Sequence, residues 1–151
     1  MKHLSYILIS ALMLLSAYTE SIDNAARQDQ LPKIFPDYIG VTIPENIAPM
    51  NFCVDDNIEK IDVTVRGSNG GEMHVQDDYA DFDIDEWHSI VSQNKGGKLT
   101  FSVCVKKGGQ WLRYNDFTMT VSQYDMPDYA LTYRRIAPGY EVYSKMGLYE
   151  R

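Results

Sequence analysis

The chain has 151 residues, with 14 Lys or Arg against 21 Asp or Glu and a formal net charge of −7. That balance argues against nucleic acid and anionic membrane surfaces as partners, because both select basic patches. Hydrophobic residues make up 44% of the chain, which suffices for the core of one domain on a prior of roughly 100–200 residues per domain.

The N-terminus reads as an export signal. Met1-Lys2-His3 supplies a positive start, Leu4 to Leu15 (LSYILISALMLL) is nearly all apolar, and Ser16-Ala17 are the small residues expected at a cleavage point. The run falls short of the roughly 20 apolar residues that a membrane span needs. "LSAY", Leu15 to Tyr18, has the shape of a bacterial lipobox except that Tyr18 stands where the lipid-bearing Cys belongs. Tyrosine cannot form the thioether, so the chain is expected to be exported, to the periplasm or cell envelope, without a lipid anchor. Removal of residues 1–17 takes away Lys2 and leaves 134 residues with a net charge of −8.

Residues 18–31 are polar and without periodicity, and are expected to be a tether. A globular domain is expected over residues 32–124. Pro32, Pro36, Pro44 and Pro49 exclude a long helix at its start, and Ile39, Val41 and Ile43 alternate with Gly40 and Thr42. Met50, Phe52 and Val54 repeat the alternation and turn Cys53 the other way. "EKIDVTVR", Glu59 to Arg66, is the clearest strand, with Ile61, Val63 and Val65 on one face. "GSNGG" and then "EMHVQ" complete a β-hairpin with Met73 and Val75 inward.

One helix interrupts the strands. Asp83 is the expected N-cap, Glu86 completes a capping box, and Phe82 can staple onto Trp87. Ile84, Trp87, Ile90 and Val91 fall on one face, and "NKGG" ends the helix near Gly96. Strands follow: Leu99, Phe101, Val103 and Val105 alternate with residues that include Cys104, then Trp111 to Tyr114 return, then Phe117, Met119 and Val121. About seven short strands with frequent turns predict a mainly β fold, an antiparallel two-sheet sandwich of the immunoglobulin or fibronectin type with one short helix. Trp87 and Trp111 are expected to fill it, and residues 125–151 to form an irregular tail.

The chemistry-bearing residues are sparse. Cys53 and Cys104 form no CxxC, haem or zinc pattern. A single Cys53–Cys104 disulfide and two separate thiols both stay open, but each cysteine is out of phase with the apolar residues of its strand, which argues against a buried inter-sheet bridge. Asp81, Asp83 and Asp85 sit at the first three ligand places of a calcium loop. Glu86 then occupies the place of the Gly and Ser92 that of the bidentate Glu, so an acidic turn with a helix cap explains them better. Only His74 and His88 remain beyond the signal to act as a base, neither with a nucleophile motif nearby, so no catalytic residue, metal or cofactor is expected and the chain is not expected to be an enzyme. Trp111, Tyr114, Tyr124, Tyr129, Tyr133, Tyr140, Tyr143 and Tyr149 crowd the last third. Where exposed, such rings stack on sugars or anchor a partner.

Two segments carry a family resemblance: "IFPDYIGVTIPENIAPMNF", Ile34 to Phe52, and "VSQYDMPDYALTYRRIAPGYEVYSKMGLYER", Val121 to Arg151. They resemble the N-terminal region of bacterial envelope proteins with a TolB-like, WD40-type β-propeller, commonly lipoproteins, some of them labelled cytochrome c biogenesis proteins. The resemblance implies a non-catalytic accessory β domain that serves docking or assembly. It also implies that residues 125–151 lead into a propeller that would begin only after Arg151, so that the chain is expected to be truncated. On that reading Tyr129, Tyr133, Arg134, Arg135, Tyr140 and Tyr143 are candidate docking residues, their partner is the missing propeller or another envelope protein, and Tyr129 to Arg151 is expected to be mobile in the isolated chain. A carbohydrate-binding domain and a role in cytochrome c assembly are the alternatives.

Overall fold

Two alternating segments build the frame. The computed structural model describes residues 22–54, 57–124, 132–135 and 147–150. Within these, β5 (Lys60–Gly67) and β7 (Lys98–Lys107) pair antiparallel over eight positions, with Ile61 opposite Val105, Val63 opposite Val103 and Val65 opposite Phe101. All six side chains are fully buried. The period of two puts them on one face and sends Lys60, Asp62, Thr64 and Arg66 to the other.

The remaining strands attach to this pair. On one side β6 (Glu72–Asp77) returns from β5 as the expected hairpin. On the other, β8 (Gln110–Arg113) and β9 (Phe117–Val121) lie end to end along β7, with the Tyr114 amide donating to Val103 O between them. Gly108 and Gly109 connect β7 to β8 with φ of 57° and 79°. A two-residue hairpin turn with both φ values positive matches the strand twist and suits glycine. Two short segments complete the outer edge in parallel: β1 (Ala26–Arg27) beside β8, and β3 (Thr42–Ile43) beside β9. The result is one seven-stranded mixed sheet.

A second layer covers its apolar face. β2 (Ile34–Phe35) pairs with β4 (Cys53–Val54), and Phe52 bridges to Ala80. From this ribbon Phe52 meets Phe101 and Phe117 edge-on, while Phe101 and Phe117 stack with centroids 4.8 Å apart. Helix α1 (Ile84–Gln93) lies in the same layer. The Asp83 carboxylate accepts from the amides of Asp85 and Glu86, and the Phe82 ring stacks on Trp87, so the cap and staple form as expected. Trp87, Ile90 and Val91 are buried, and the Trp87 indole N–H donates to Ile47 O.

Asn94 ties the layers together. It is fully buried just after α1, and its carboxamide donates to Ile90 O in the helix and to Gly70 O in the β5–β6 turn while accepting from the Asn69 amide. A Cβ at Gly67 would collide with that carboxamide. Glycine is needed there to let the turn approach the helix.

The mainly β class with one helix holds, and the ribbon and helix over the sheet give a sandwich-like layering. Several details differ from expectation. The principal strands form one connected sheet with two parallel edge pairs, because the segments before Pro44 run along its rim as backbone partners. Ala26 and Arg27, expected in a tether, are one of those partners. Ile84 is exposed, since the first residue after the cap sits ahead of the covered part of the helix face. Trp111 is buried, but opposite Lys106 on the face turned away from the core, because the strand phase at β8 is set by Leu112 opposite Val105. The C-terminal segment is not wholly irregular: β10 (Thr132–Arg135) and β11 (Gly147–Glu150) pair antiparallel. They pair with each other and with no strand of the principal sheet.

Replacing Asn94 by Ala leaves buried partners unpaired at the helix end and in the turn, and is expected to cost about 2–4 kcal/mol. Asp83→Ala removes only a solvent-facing cap and should cost about 1 kcal/mol. Urea denaturation of both variants checks the ranking, and equal losses would contradict it.

Candidate functional site

The polar face of the sheet carries a row of charge. Cross-strand registers align Arg27 on β1, Arg113 on β8, Cys104 on β7, Asp62 on β5 and Gln76 on β6. In-register neighbours on adjacent strands share a face. Asp62 is the only buried Asp or Glu among the described residues. Its Oδ2 lies 2.7 Å from His74 Nε2, which reaches across from the position opposite Thr64. His74 itself is half exposed, so the pair forms a carboxylate held under a solvent-facing imidazole.

Cys104 is buried beside this pair. Burial pushes its thiol up to about 11, Asp62 adds in the same direction, and the Arg113 guanidinium only partly opposes them. At neutral pH roughly one such thiol in ten thousand is ionised, which makes it a poor nucleophile. A base adjacent to the thiol would change that. The order across the strands is instead Cys104, Asp62, His74, with the carboxylate between thiol and imidazole. This trio therefore does not present a nucleophile to its base.

At the rim the row ends in two cations. Arg27 and Arg113 are direct cross-strand neighbours, an arrangement of like charges that costs on the order of a few tenths of a kcal/mol up to about 1 kcal/mol. Arg113 Nη2 is 3.6 Å from Asp116 Oδ1, beyond good hydrogen-bond distance. Arg27 has no carboxylate partner among the described residues. Both line a cavity of about 220 Å³ with Tyr114, Asn115 and Asp116.

A different kind of surface lies on the outer side of the ribbon. Phe35 is paired with Cys53, and the Phe52–Ala80 bridge puts Tyr79 opposite Cys53 on its other side. All three side chains are exposed, Phe35 to 68%. The Tyr79 hydroxyl donates to Asp81, whose other oxygen accepts from the Asn51 amide group. Tyr79 thus has its phenol pKa raised, first by that hydrogen bond and then by the Asp81 charge.

The expected site residues fall differently from one another. Cys53 and Cys104 are both free. The core lies between the outer side of the ribbon and the polar face of the sheet, so the disulfide left open by the sequence does not form. Trp111 and Tyr114 are buried and offer no ring face to a sugar, whereas Tyr124 is exposed. Tyr133, Arg134 and Arg135 stand on β10 and Tyr149 on β11; Tyr129, Tyr140 and Tyr143 lie outside the described residues. His88 is exposed on α1. Asp81 and Asp83 are engaged as an acceptor for Asn51 and Tyr79 and as a helix cap, and no group of three metal-ligating side chains occurs among the described residues. None of the described helices is long and apolar enough to cross a membrane. Phe35, Tyr79 and the Arg27–Arg113 pair were not singled out by sequence; pairing between distant segments creates both groups.

No protein-family model, curated protein or solved structure matches the chain.

Two thiol properties follow from this geometry. In the native protein iodoacetamide should modify Cys53 and spare Cys104 until the chain is unfolded. The Cys104 thiol is raised above its unfolded value of 9.0, so its contribution to stability is fully present below about pH 9 and is lost as pH rises through about 11. Between pH 8 and 10.5 this group should cost the native state about 2 kcal/mol. Urea midpoints at the two pH values should therefore fall further for the wild type than for Cys104→Ala, and identical falls would contradict the assignment.

Proposed function

We propose that the chain is a non-catalytic cell-envelope module, exported by residues 1–17, that works by docking a protein partner on the exposed row Phe35, Cys53 and Tyr79. The observation that carries this reading is Phe35, a phenylalanine 68% exposed although its strand is held in a backbone pairing with β4. A solvent-facing aromatic ring on a paired strand has its backbone fixed before binding, which lowers the entropy lost on association, and it offers a large apolar surface to a partner. The Tyr79–Asp81 hydrogen bond restrains the second ring itself.

Phe35 also belongs to the segment Ile34 to Phe52 that resembles the opening of TolB-like propeller proteins. That resemblance, which rests on sequence alone, names the expected partner class: an envelope protein with a β-propeller. The carbohydrate-binding reading is weaker, because Trp111 and Tyr114 are buried. A role in cytochrome c assembly rests on the resemblance only and has no haem-attachment motif in this sequence.

A photoreactive phenylalanine analogue at position 35, compared with one at the exposed Thr118 of the full chain in producing cells, tests the docking reading. The expected outcome is an adduct with a propeller-bearing envelope protein from position 35 alone, reduced about tenfold by Tyr79→Ser, on the scale of a lost interface anchor. Equal adducts from both positions, or glycan-array binding abolished by Phe35→Ser, would replace it.

A further inference from the structure

The pair Arg27 and Arg113 is built by the fold and, among the described residues, left without a full counter-charge. β1 has only two residues, yet the chain just beyond Arg27 is clamped to the chain just beyond Arg113. The Gln28 amide donates to Arg113 O at 2.8 Å, the Asn115 amide donates to Gln30 O at 2.9 Å, and the Asn115 side chain donates to Asp29 Oδ1 at 3.2 Å. Those bonds fix the Arg27 backbone against Arg113. The buried Tyr114 lines, together with both arginines, a cavity of about 220 Å³.

We infer that this cavity binds a small carboxylate that carries its own hydrogen-bond donor, such as a hydroxy acid or an amino acid. Two arginines paired in register and lining one cavity bring to it planar donor forks of the kind that match a carboxylate. Asp116, loosely held by Arg113 at 3.6 Å, is in the same lining. It accepts a hydroxyl or ammonium group from the ligand and disfavours a dianion. A phosphate ester would bring a second negative charge against that carboxylate. The chain as a whole is acidic, at −7, so long-range attraction does not deliver anions and the local arginine pair must supply recognition. This site is on the opposite face from the docking row and is independent of it.

Amide and arginine side-chain NMR shifts of the full chain, titrated with glycolate, acetate and inorganic phosphate, test the inference. Saturable shifts at Gln28, Arg113 and Asn115 are expected with glycolate, at an affinity at least about threefold better than acetate or phosphate, the scale of one added hydrogen bond. Arg27→Gln and Arg113→Lys should each weaken glycolate about tenfold, the lysine because it keeps the charge and loses the fork. Asp116→Asn should narrow the preference for glycolate over acetate. Unchanged shifts elsewhere in each variant's spectrum establish that the sheet persists. Absence of saturable shifts, tighter binding of phosphate than glycolate, or undiminished binding in both arginine variants would overturn it.

Discussion

The alternation of β5 against β7 is the constraint on which everything else rests. Eight consecutive pairs fix the register, and a slip of one residue would turn Ile61, Val63 and Val65 out to water and bring Asp62 and Thr64 into the core. The same register that assembles the core therefore assembles the polar row. Asp62 meets Cys104 because Val63 meets Val103, and Arg113 reaches Cys104 because Leu112 meets Val105. The apolar face leaves no choice about which charges become neighbours on the other.

What lies over the apolar face is fastened by a few specific groups. The stack of Phe101 on Phe117 receives Phe52 from the ribbon, and Phe82 receives Trp87 from the helix. Asn94 then joins helix and hairpin turn through three side-chain hydrogen bonds in a fully buried place. Because the ribbon is held from beneath by Ile34, Phe52 and Val54, its outer residues Phe35 and Cys53 are presented without support of their own. The edge pieces β1 and β3 differ: each adds two residues to the sheet, so the frame supports them more than they support the frame.

Local signals were legible in the sequence. Asp83 and Phe82 announce the helix, the alternation in Glu59 to Arg66 announces β5, and the glycines after Arg66 announce the hairpin; each acts within a few residues, where propensity and periodicity operate. The misreadings share a different cause. Trp111 is expected in the core because its neighbours are read as setting the apolar phase, but the phase of a short strand depends on which residue faces Val105. Ala26 and Arg27 look like tether because their pairing is made by backbone alone, with a strand more than eighty residues away. Asn94 reads as part of a helix stop, and nothing local tells that its carboxamide reaches Gly70. Both candidate surfaces are of this non-local kind, since Phe35 meets Tyr79 and Arg27 meets Arg113 only through register.

The frame and its attached rim make separate demands on a single observable, amide hydrogen exchange of the full chain. The account predicts that Val63, Val65, Val103 and Val105 exchange only through global unfolding, whereas Gln28 and Asn115, which hold Arg27 beside Arg113, exchange through a smaller local opening. If Gln28 exchanged as slowly as Val63, or the β5 and β7 amides opened without the rest of the sheet, the β5–β7 pair would not be the frame on which the site is built.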